Sequence, residues 1–359
     1  MYFVKKVLWS IGLCMLLVNQ AYAQKTDSKR IDSIFRVIDN ISQSLRVAED
    51  KKEAQKLLTK LRYAYSAIND STFKLKIPQT LKLLDDCSLK WKCIKIYLSV
   101  GNIYKDKGKD QKVLFYFEEA RKKIEEWELF EQKGHYYLDL GDFYQNKYQF
   151  NEALLSFLKG KEIFEKTGNQ DLLIQATYRI SLRHYYDKDY DKAIEGFNKL
   201  TKIGKDFPNH RVLINSWNAL GLIYKNQKML DKAITHYNQA LKLAIEKKDS
   251  AWIGIMNGNI GTIYEQKGDY KEAEKRYLID MNTSLQFSVW GSLANVMGSL
   301  GDIYRKQKQY KKAEQMYDST LTICDKYRQY DSKGRVYQGM AELYQSMEQY
   351  TTCSPPSIL

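Results

Sequence analysis

LGLIYKNQKMLDKAITHYNQA (220–240), IGTIYEQKGDYKEAEKRYLID (260–280) and LGDIYRKQKQYKKAEQMYDST (300–320) stand in register, 40 residues apart. Gly221, Gly261 and Gly301 form one column. Tyr224, Tyr264 and Tyr304 form a second, Ala233, Ala273 and Ala313 a third, and Tyr237, Tyr277 and Tyr317 a fourth. A sustained internal period of this length specifies a stack of like supersecondary units rather than one globular core. In the first half of each segment the apolar residues recur three to four apart (Leu220, Ile223, Tyr224), the stripe of an amphipathic helix. Ala233, Ile234, Tyr237 and Ala240 repeat that pattern in the second half, and a short polar turn such as KNQKML or QKGD lies between. Each unit is therefore expected to be two antiparallel helices, with glycine and alanine allowing close approach and tyrosine filling the gap beside them.

The same columns resemble the tetratricopeptide repeat family: a Leu-Gly pair, a Tyr three after the Gly, an Ala twelve after it and an aromatic four beyond that. The period usual in that family is about 34 residues, whereas 40 holds here. The longer unit is similar to that of peptide-sensing regulators and of the extracytoplasmic sensor parts of bacterial signalling proteins. The resemblance implies an all-α fold, a right-handed superhelical solenoid of antiparallel helix pairs.

Working outward, the register continues upstream through Gly101, Tyr104, Val113 and Phe117, and through Gly141, Tyr144, Ala153 and Phe157. The next unit keeps Ala193 and Phe197 but has Ser181 in the glycine column and His184 in the tyrosine column. Residues 89–350 are thus expected to form six full units and one half unit. Residues 48–88 read as a degenerate first unit, with Leu57, Leu58, Leu61 and Tyr65 on its first helix and Phe73 where later units have Ala. Residues 24–47 carry Ile31, Ile34, Phe35, Ile38 and Ile41 on one face and read as a capping helix. Unit borders fall at Gly168-Asn169, Asp249-Ser250 and Asp331-Ser332. Met340, Ala341, Tyr344 and Tyr350 carry the pattern on. Residues 351–359, TTCSPPSIL, then read as an irregular tail, since Pro355 and Pro356 cannot continue a helix. That ending leaves an apolar helix face uncovered, to be covered by a partner or, in the reading favoured here, by the remainder of a longer protein.

Residues 1–23 read as a cleaved signal peptide: Lys5 and Lys6, an apolar run from Val7 to Val18, and Ala21-Tyr22-Ala23 before Gln24. The run is short for a membrane span, and Ile11-Gly12-Leu13 before Cys14 lacks the small residue of a lipidation site. The mature chain is expected to be exported, periplasmic or extracellular, with no transmembrane span. The formal net charge of +14 drops to about +12 without Lys5 and Lys6. Much of it sits in the turns within units: Lys105, Lys107, Lys109 and Lys112; Lys225, Lys228 and Lys232; Arg305, Lys306, Lys308, Lys311 and Lys312. Stacking would align these along one basic edge, open to an acidic partner. An exported chain without aromatic–basic strand motifs is not a nucleic-acid binder.

No catalytic constellation is present: no Gly-x-Ser-x-Gly elbow, phosphate-binding glycine loop, His-Glu-x-x-His or zinc-type cysteine pair. Cys87 and Cys93 straddle a helix junction, which allows a disulfide without requiring one. His135, His184, His210 and His236 fall at different points of the repeat and do not converge, and His184 reads as a core residue. Asp187 to Asp191 imitates a calcium loop, but Lys192 and Asn198 replace its glycine and glutamate. Asn40-Ile41-Ser42, Asn69-Asp70-Ser71 and Asn282-Thr283-Ser284 match glycan acceptors. No metal or cofactor is expected.

A binding surface remains. In the family the first helices line a concave groove that holds an extended peptide or partner helix. Carried over by register, its residues are His135, Leu138, Asp142, Tyr178, Tyr185, Asn215, Asn218, Lys225, Asn259, Asn295, Asp302 and Arg305, with Gly258 and Gly298 leaving room for a partner backbone. Asparagine side chains suit that task because they donate and accept together. The expected function is a non-enzymatic scaffold outside the cytoplasm that binds protein or peptide, by analogy the sensor part of a signalling protein. An envelope-assembly or secretion accessory protein is the alternative, and a peptide-responsive regulator the next.

Overall fold

The computed structural model describes residues 28–48, 51–66, 77–82, 90–203 and 209–353, and among these every regular element is an α-helix. The chain divides into two compact units, residues 1–176 and 177–359. In the first, α1 (Ser28–Val47) packs on α2 (Lys51–Ser66), and the pairs α3 (Lys90–Asp106) with α4 (Asp110–Glu126) and α5 (Phe130–Asn146) with α6 (Phe150–Thr167) follow. α7 (Gln170–Tyr186) runs through the boundary. In the second unit come α8 (Tyr190–Thr201), then α9 (His210–Asn226) with α10 (Leu230–Glu246), α11 (Ser250–Gln266) with α12 (Tyr270–Gln286), α13 (Trp290–Lys306) with α14 (Tyr310–Tyr327), and finally α15 (Tyr330–Cys353). The chain is an all-α stack of antiparallel helix pairs, as the columns imply.

The 40-residue period has a simple origin. Most helices are 17 or 18 residues long and are joined by links of two or three residues, so a new helix begins every 20 positions. The links share one geometry. One or two places past the helix end, a residue sits in the left-handed region: Gly108, Glu128, Tyr148, Gly168, Lys188, Lys228, Lys248, Gly268, Ser288, Lys308 and Arg328. The next amide N–H then returns to a carbonyl of the last helical turn: Met229 to Tyr224 at 2.8 Å, Asp269 to Tyr264 at 2.9 Å, Gln309 to Tyr304 at 2.8 Å. This double-bonded ending satisfies carbonyls the helix leaves orphaned. Among the numbered helices only α8 is short, at 12 residues, with Gly204 and Pro208 following in the sequence.

A side chain at positive φ costs about 1 kcal/mol relative to glycine. Lys228 and Lys308, at φ 61° and 60°, occupy the turn position that Gly108 and Gly268 fill elsewhere. Lys228→Gly and Lys308→Gly are each expected to stabilise the chain by about 1 kcal/mol, read as a higher midpoint in urea; an unchanged or lower midpoint would show that the lysines gain as much from contacts as the turn loses.

Between the helices the columns interlock. The ring sixteen residues after each glycine lies directly on it: Phe117 on Gly101, Phe157 on Gly141, Tyr237 on Gly221, Tyr277 on Gly261 and Tyr317 on Gly301. The departure at Ser181 is compensated from the other helix. Gly196 on α8 faces it, and a Cβ there would lie 3.0 Å from the Ser181 Cβ and closer still to its hydroxyl oxygen. Serine and glycine have exchanged helices, and the close approach survives.

Residues 1–23 and Phe73 lie outside the described residues, as does Cys87. On α1, Ile34 and Ile38 are buried, in keeping with the apolar face read there. α15 extends to Cys353, so residues 351–353, expected to be irregular, are helical; Thr351 and Thr352 tolerate a helix, and residues 354–359 lie outside the described residues. Asn40 is exposed, whereas Ser42 of the same acceptor motif is buried with its hydroxyl donating to the Ile38 carbonyl at 2.7 Å.

Candidate functional site

The first helix of each pair carries the residues assigned to the groove, and the two units are taken separately. In the first unit, His135 is half-buried with its ring edge-on to Phe164 at 5.8 Å, and Asp142 is half-buried. Leu138 does not line a surface. It is 3% exposed, and its Cδ2 lies 3.2 Å from where a Gly160 Cβ would stand. Its position falls on the helix stripe turned into the pair.

In the second unit, α7, α9, α11 and α13 supply the remaining residues. Tyr178 packs edge-on to Phe197 at 6.0 Å, and burial pushes its phenol up. Tyr185 lies tilted against Tyr186 and Tyr190. Asn215 turns its amide back to the Arg211 carbonyl at 2.8 Å. Asn218 and Asn259 meet across adjacent pairs, Asn259 Nδ2 donating to Asn218 Oδ1 at 2.8 Å. That bond leaves the Asn218 amide N–H₂ and the Asn259 side-chain carbonyl uncommitted to other side chains. Asn295 accepts from the Ser332 hydroxyl at 2.9 Å. Asp302 accepts from the Tyr317 hydroxyl at 2.6 Å, burial raising its carboxyl and that bond opposing the rise. Arg305 pairs with Glu342 at 2.6 Å. Lys225 is half-buried, and burial pushes its ammonium down.

Gly258 and Gly298 do not leave room for a partner. The space above Gly258 holds the Asp280 carboxyl, whose Cγ would be 3.2 Å from a Cβ, and Arg335 Nη2 would be 3.0 Å from one at Gly298. The chain uses both glycines for its own side chains. Enclosure beside Gly258 pushes the Asp280 carboxyl up to about 6, against the Ser284 hydroxyl bond at 3.1 Å. The small residues suggested a vacancy, but the residue that fills each one comes from a different helix of the stack.

The basic edge is partly spent within the fold. Lys112, Lys232 and Lys312, each eleven after its repeat glycine or the residue in that column, hold their ammonium groups 4.6, 5.3 and 5.5 Å from the ring centres of Tyr104, Tyr224 and Tyr304. These are cation–π contacts. Lys306 pairs with Glu265 at 2.7 Å, Lys147 with Asp110 at 2.5 Å, and Lys267 with Asp231. Asp249 stands at the N-cap position of α11, and its carboxylate accepts from Arg211 Nε at 2.8 Å, with His210 at 3.4 Å. The histidines stay apart. His184 lies 3.7 Å from Asp189, and His236 is sandwiched between Trp217 and Tyr224, with burial and then Lys232 pushing it down. Asp189 caps α8 as a turn residue would. Among the described residues no group of His, Cys, Asp or Glu could hold a metal ion, and no helix is long and apolar enough to cross a membrane.

One residue that the sequence pattern hid is Lys92. It is completely buried, and its ammonium donates to the Leu45 carbonyl at 2.7 Å and to that of Ala48. The available signal was its position on the same helical stripe as Ile96 and Val100, where an apolar residue belongs.

Comparison with known proteins agrees with this architecture. Residues 212–278 and 292–352 match the tetratricopeptide repeat family model. No curated protein matches the sequence. Among solved structures, a signal-transduction ATPase with a tetratricopeptide repeat sensor from Pyrococcus horikoshii is 15% identical, with a TM-score of 0.60; the match covers 91% of this chain but 54% of that one, so this chain spans about half its length. The apo form of RapI is 14% identical, with a TM-score of 0.57 and coverage of 94% and 99% of the two chains. NprR in complex with its cognate peptide NprX is 16% identical, with a TM-score of 0.50 and coverage of 90% and 86%. At these identities the likeness is one of fold. Residues 212–278 and 292–352 thus carry tetratricopeptide repeats.

Proposed function

We propose that the chain is a non-enzymatic scaffold that binds an extended peptide, or a segment of a protein, on the first-helix face of its second unit. The Asn218–Asn259 bond carries this reading. It fixes two amides across neighbouring pairs and leaves one donor and one acceptor, the two groups an extended backbone needs. NprR, similar in fold, is seen with a bound peptide, and the Pyrococcus protein carries its repeats as a sensor; both are in keeping with a sensor role here. The basic, apolar and small-residue succession of residues 1–23 supports export.

Peptides selected from a displayed random library on the full chain are expected to bind Asn218→Ala/Asn259→Ala at least about tenfold more weakly, with helicity unchanged. Equal affinity for the two proteins removes this face from consideration.

A further inference from the structure

α15 repeats, 40 residues on, a stripe that α13 keeps covered. On α13 it reads Trp290, Ala294, Met297, Gly301 and Tyr304. The last four are buried, with Tyr317 of α14 lying on Gly301, and Trp290 is stacked on Tyr327 of α14 at 3.8 Å. On α15 the same columns hold Tyr330, Gly334, Tyr337, Ala341 and Tyr344. Every one is exposed, the three tyrosines by 68%, 53% and 47%. Nothing lies within 4 Å of where a Gly334 Cβ would stand. The other side of α15 is committed to the stack: Val336 and Leu343 are buried, and Gly339 lies against the Tyr317 hydroxyl.

The counterparts α9, α11 and α13 each end after 17 residues and turn, and the next helix folds back along them. α15 does not turn. It is 24 residues long and stays helical through 347–349, the positions equivalent to those links. Its exposed stripe also has a pattern of its own. Rings and small residues alternate at spacings of four and three, the rhythm of a helix–helix seam. A second α15 laid parallel and in register would set ring on ring. Laid antiparallel, it seats each ring on a small residue: Tyr337 on Gly334 with Tyr330 on Ala341, or Tyr344 on Gly334 with Tyr337 on Ala341. Both registers are reciprocal, as a twofold axis requires. Both repeat the ring-on-small contact that Tyr317 makes with Gly301. Lys333, beside the seam, stands opposite Gln338 in one register and Gln345 in the other, so like charges do not meet. Two of the rings are already set: the Lys333 ammonium lies 5.7 Å from the Tyr337 ring centre, and the Tyr344 hydroxyl donates to Glu314 at 3.1 Å. Side chains held in place beforehand lose less freedom on association.

We propose that this face joins two copies of the chain, α15 against α15, antiparallel about a twofold axis. An aromatic side chain buries about 150–250 Å² when covered, so the three half-exposed rings bring about 300 Å² per copy. A standard interface takes about 800 Å² from each partner. The dimer is accordingly weak, with a dissociation constant on the order of 10 µM, and forms and dissolves with concentration.

Sedimentation equilibrium of the full chain between about 1 and about 200 µM tests the pairing. A monomer–dimer equilibrium is expected, and Tyr337→Ser should weaken it at least about tenfold. Gly334→Leu/Ala341→Leu is the decisive variant. It adds apolar surface at two exposed positions, so indiscriminate stickiness would strengthen association. Rings left without a small residue to sit on instead weaken it, again at least about tenfold. Unchanged helicity at about 1 µM, where the chain is monomeric, shows that the variant still folds. Tyr148→Ser, which removes an exposed tyrosine of the first unit, leaves the equilibrium as it is. Tyr330→Ser and Tyr344→Ser select the register: the first weakens the dimer when Tyr330 sits on Ala341, the second when Tyr344 sits on Gly334. A chain that stays monomeric throughout the range leaves the face to a different occupant and overturns the pairing. So does a dimer that Gly334→Leu/Ala341→Leu strengthens or leaves unchanged.

Discussion

Gly301→Ala is expected to destabilise the chain by about 3 kcal/mol, against a helix propensity that favours alanine by about 1 kcal/mol. The added Cβ would sit 2.5 Å from Cε1 of Tyr317. That ring has nowhere to go. It is fully buried, its hydroxyl is held at 2.6 Å by Asp302, and its far end lies against Gly339, where a Cβ would be 2.7 Å from the hydroxyl oxygen. Relief therefore requires α13 and α14 to move apart, and overpacking of that kind loses more than a methyl group gains. Gly334→Ala is the matched control. It lies in a helix with nothing within 4 Å of the added carbon, so alanine there should stabilise by about 1 kcal/mol. Urea unfolding of the two variants checks the pair; a Gly301→Ala protein as stable as wild type would mean that the ring contact is not what sets the helix spacing. Because each pair touches mainly its neighbours, the loss should appear in the part of the transition belonging to the second unit.

The Gly–Tyr contact is a case of structure legible in sequence, because both partners lie in one 40-residue unit and recur with it. The helix pairs and most of their boundaries come from the same source, as does the aromatic on the glycine. Contacts that do not recur with the period are another matter. Asp280 filling the space above Gly258 within one pair, and Arg335 of the following helix at Gly298, depend on distances between helices that a periodic pattern does not encode. The lysines of the turns were visible as charge, but not their seating on Tyr104, Tyr224 and Tyr304, since column spacing alone does not say which face of the second helix meets the first. The groove was legible as a set of positions on first helices. Its chemistry was not: Asn215, Asn295 and Arg305 look alike as polar groove residues, yet each is engaged within the chain, whereas Asn218, Lys225 and Asn259 retain capacity for a ligand. For Asn218, Asn295 and Arg305 that distinction rests on partners 37 to 41 residues away in the chain, while Asn215 is engaged by Arg211 four residues back. The exchange of Ser181 and Gly196 is intermediate, for the anomaly was visible in the glycine column and its remedy stood fifteen residues on.

Lys92→Met should loosen α1 from the first unit by about 3 kcal/mol, and it tests a contact that does not recur among the described residues. The ammonium is completely enclosed and closes two carbonyls at the C-terminal end of α1, Leu45 and Ala48. A helix ends with unpaired carbonyls and a partial negative charge, so a cation there is favoured twice, by hydrogen bonding and by the dipole. Exchanging a buried ion pair for apolar residues is often harmless when both partners are replaced. Methionine replaces only one. It matches the length of the lysine stem but leaves both carbonyls buried without a donor, and each orphaned group costs about 1–3 kcal/mol. The apolar residues of α1, Ile38 and Leu45 among them, remain to hold the helix in place, so the rest of the first unit should stay folded. Hydrogen exchange reads the effect locally: amides of residues 36–47 should exchange about a hundredfold faster in Lys92→Met while those of α5 and α6 keep their protection. Unchanged protection in α1 would mean that its docking is apolar and that the lysine is a tolerated passenger.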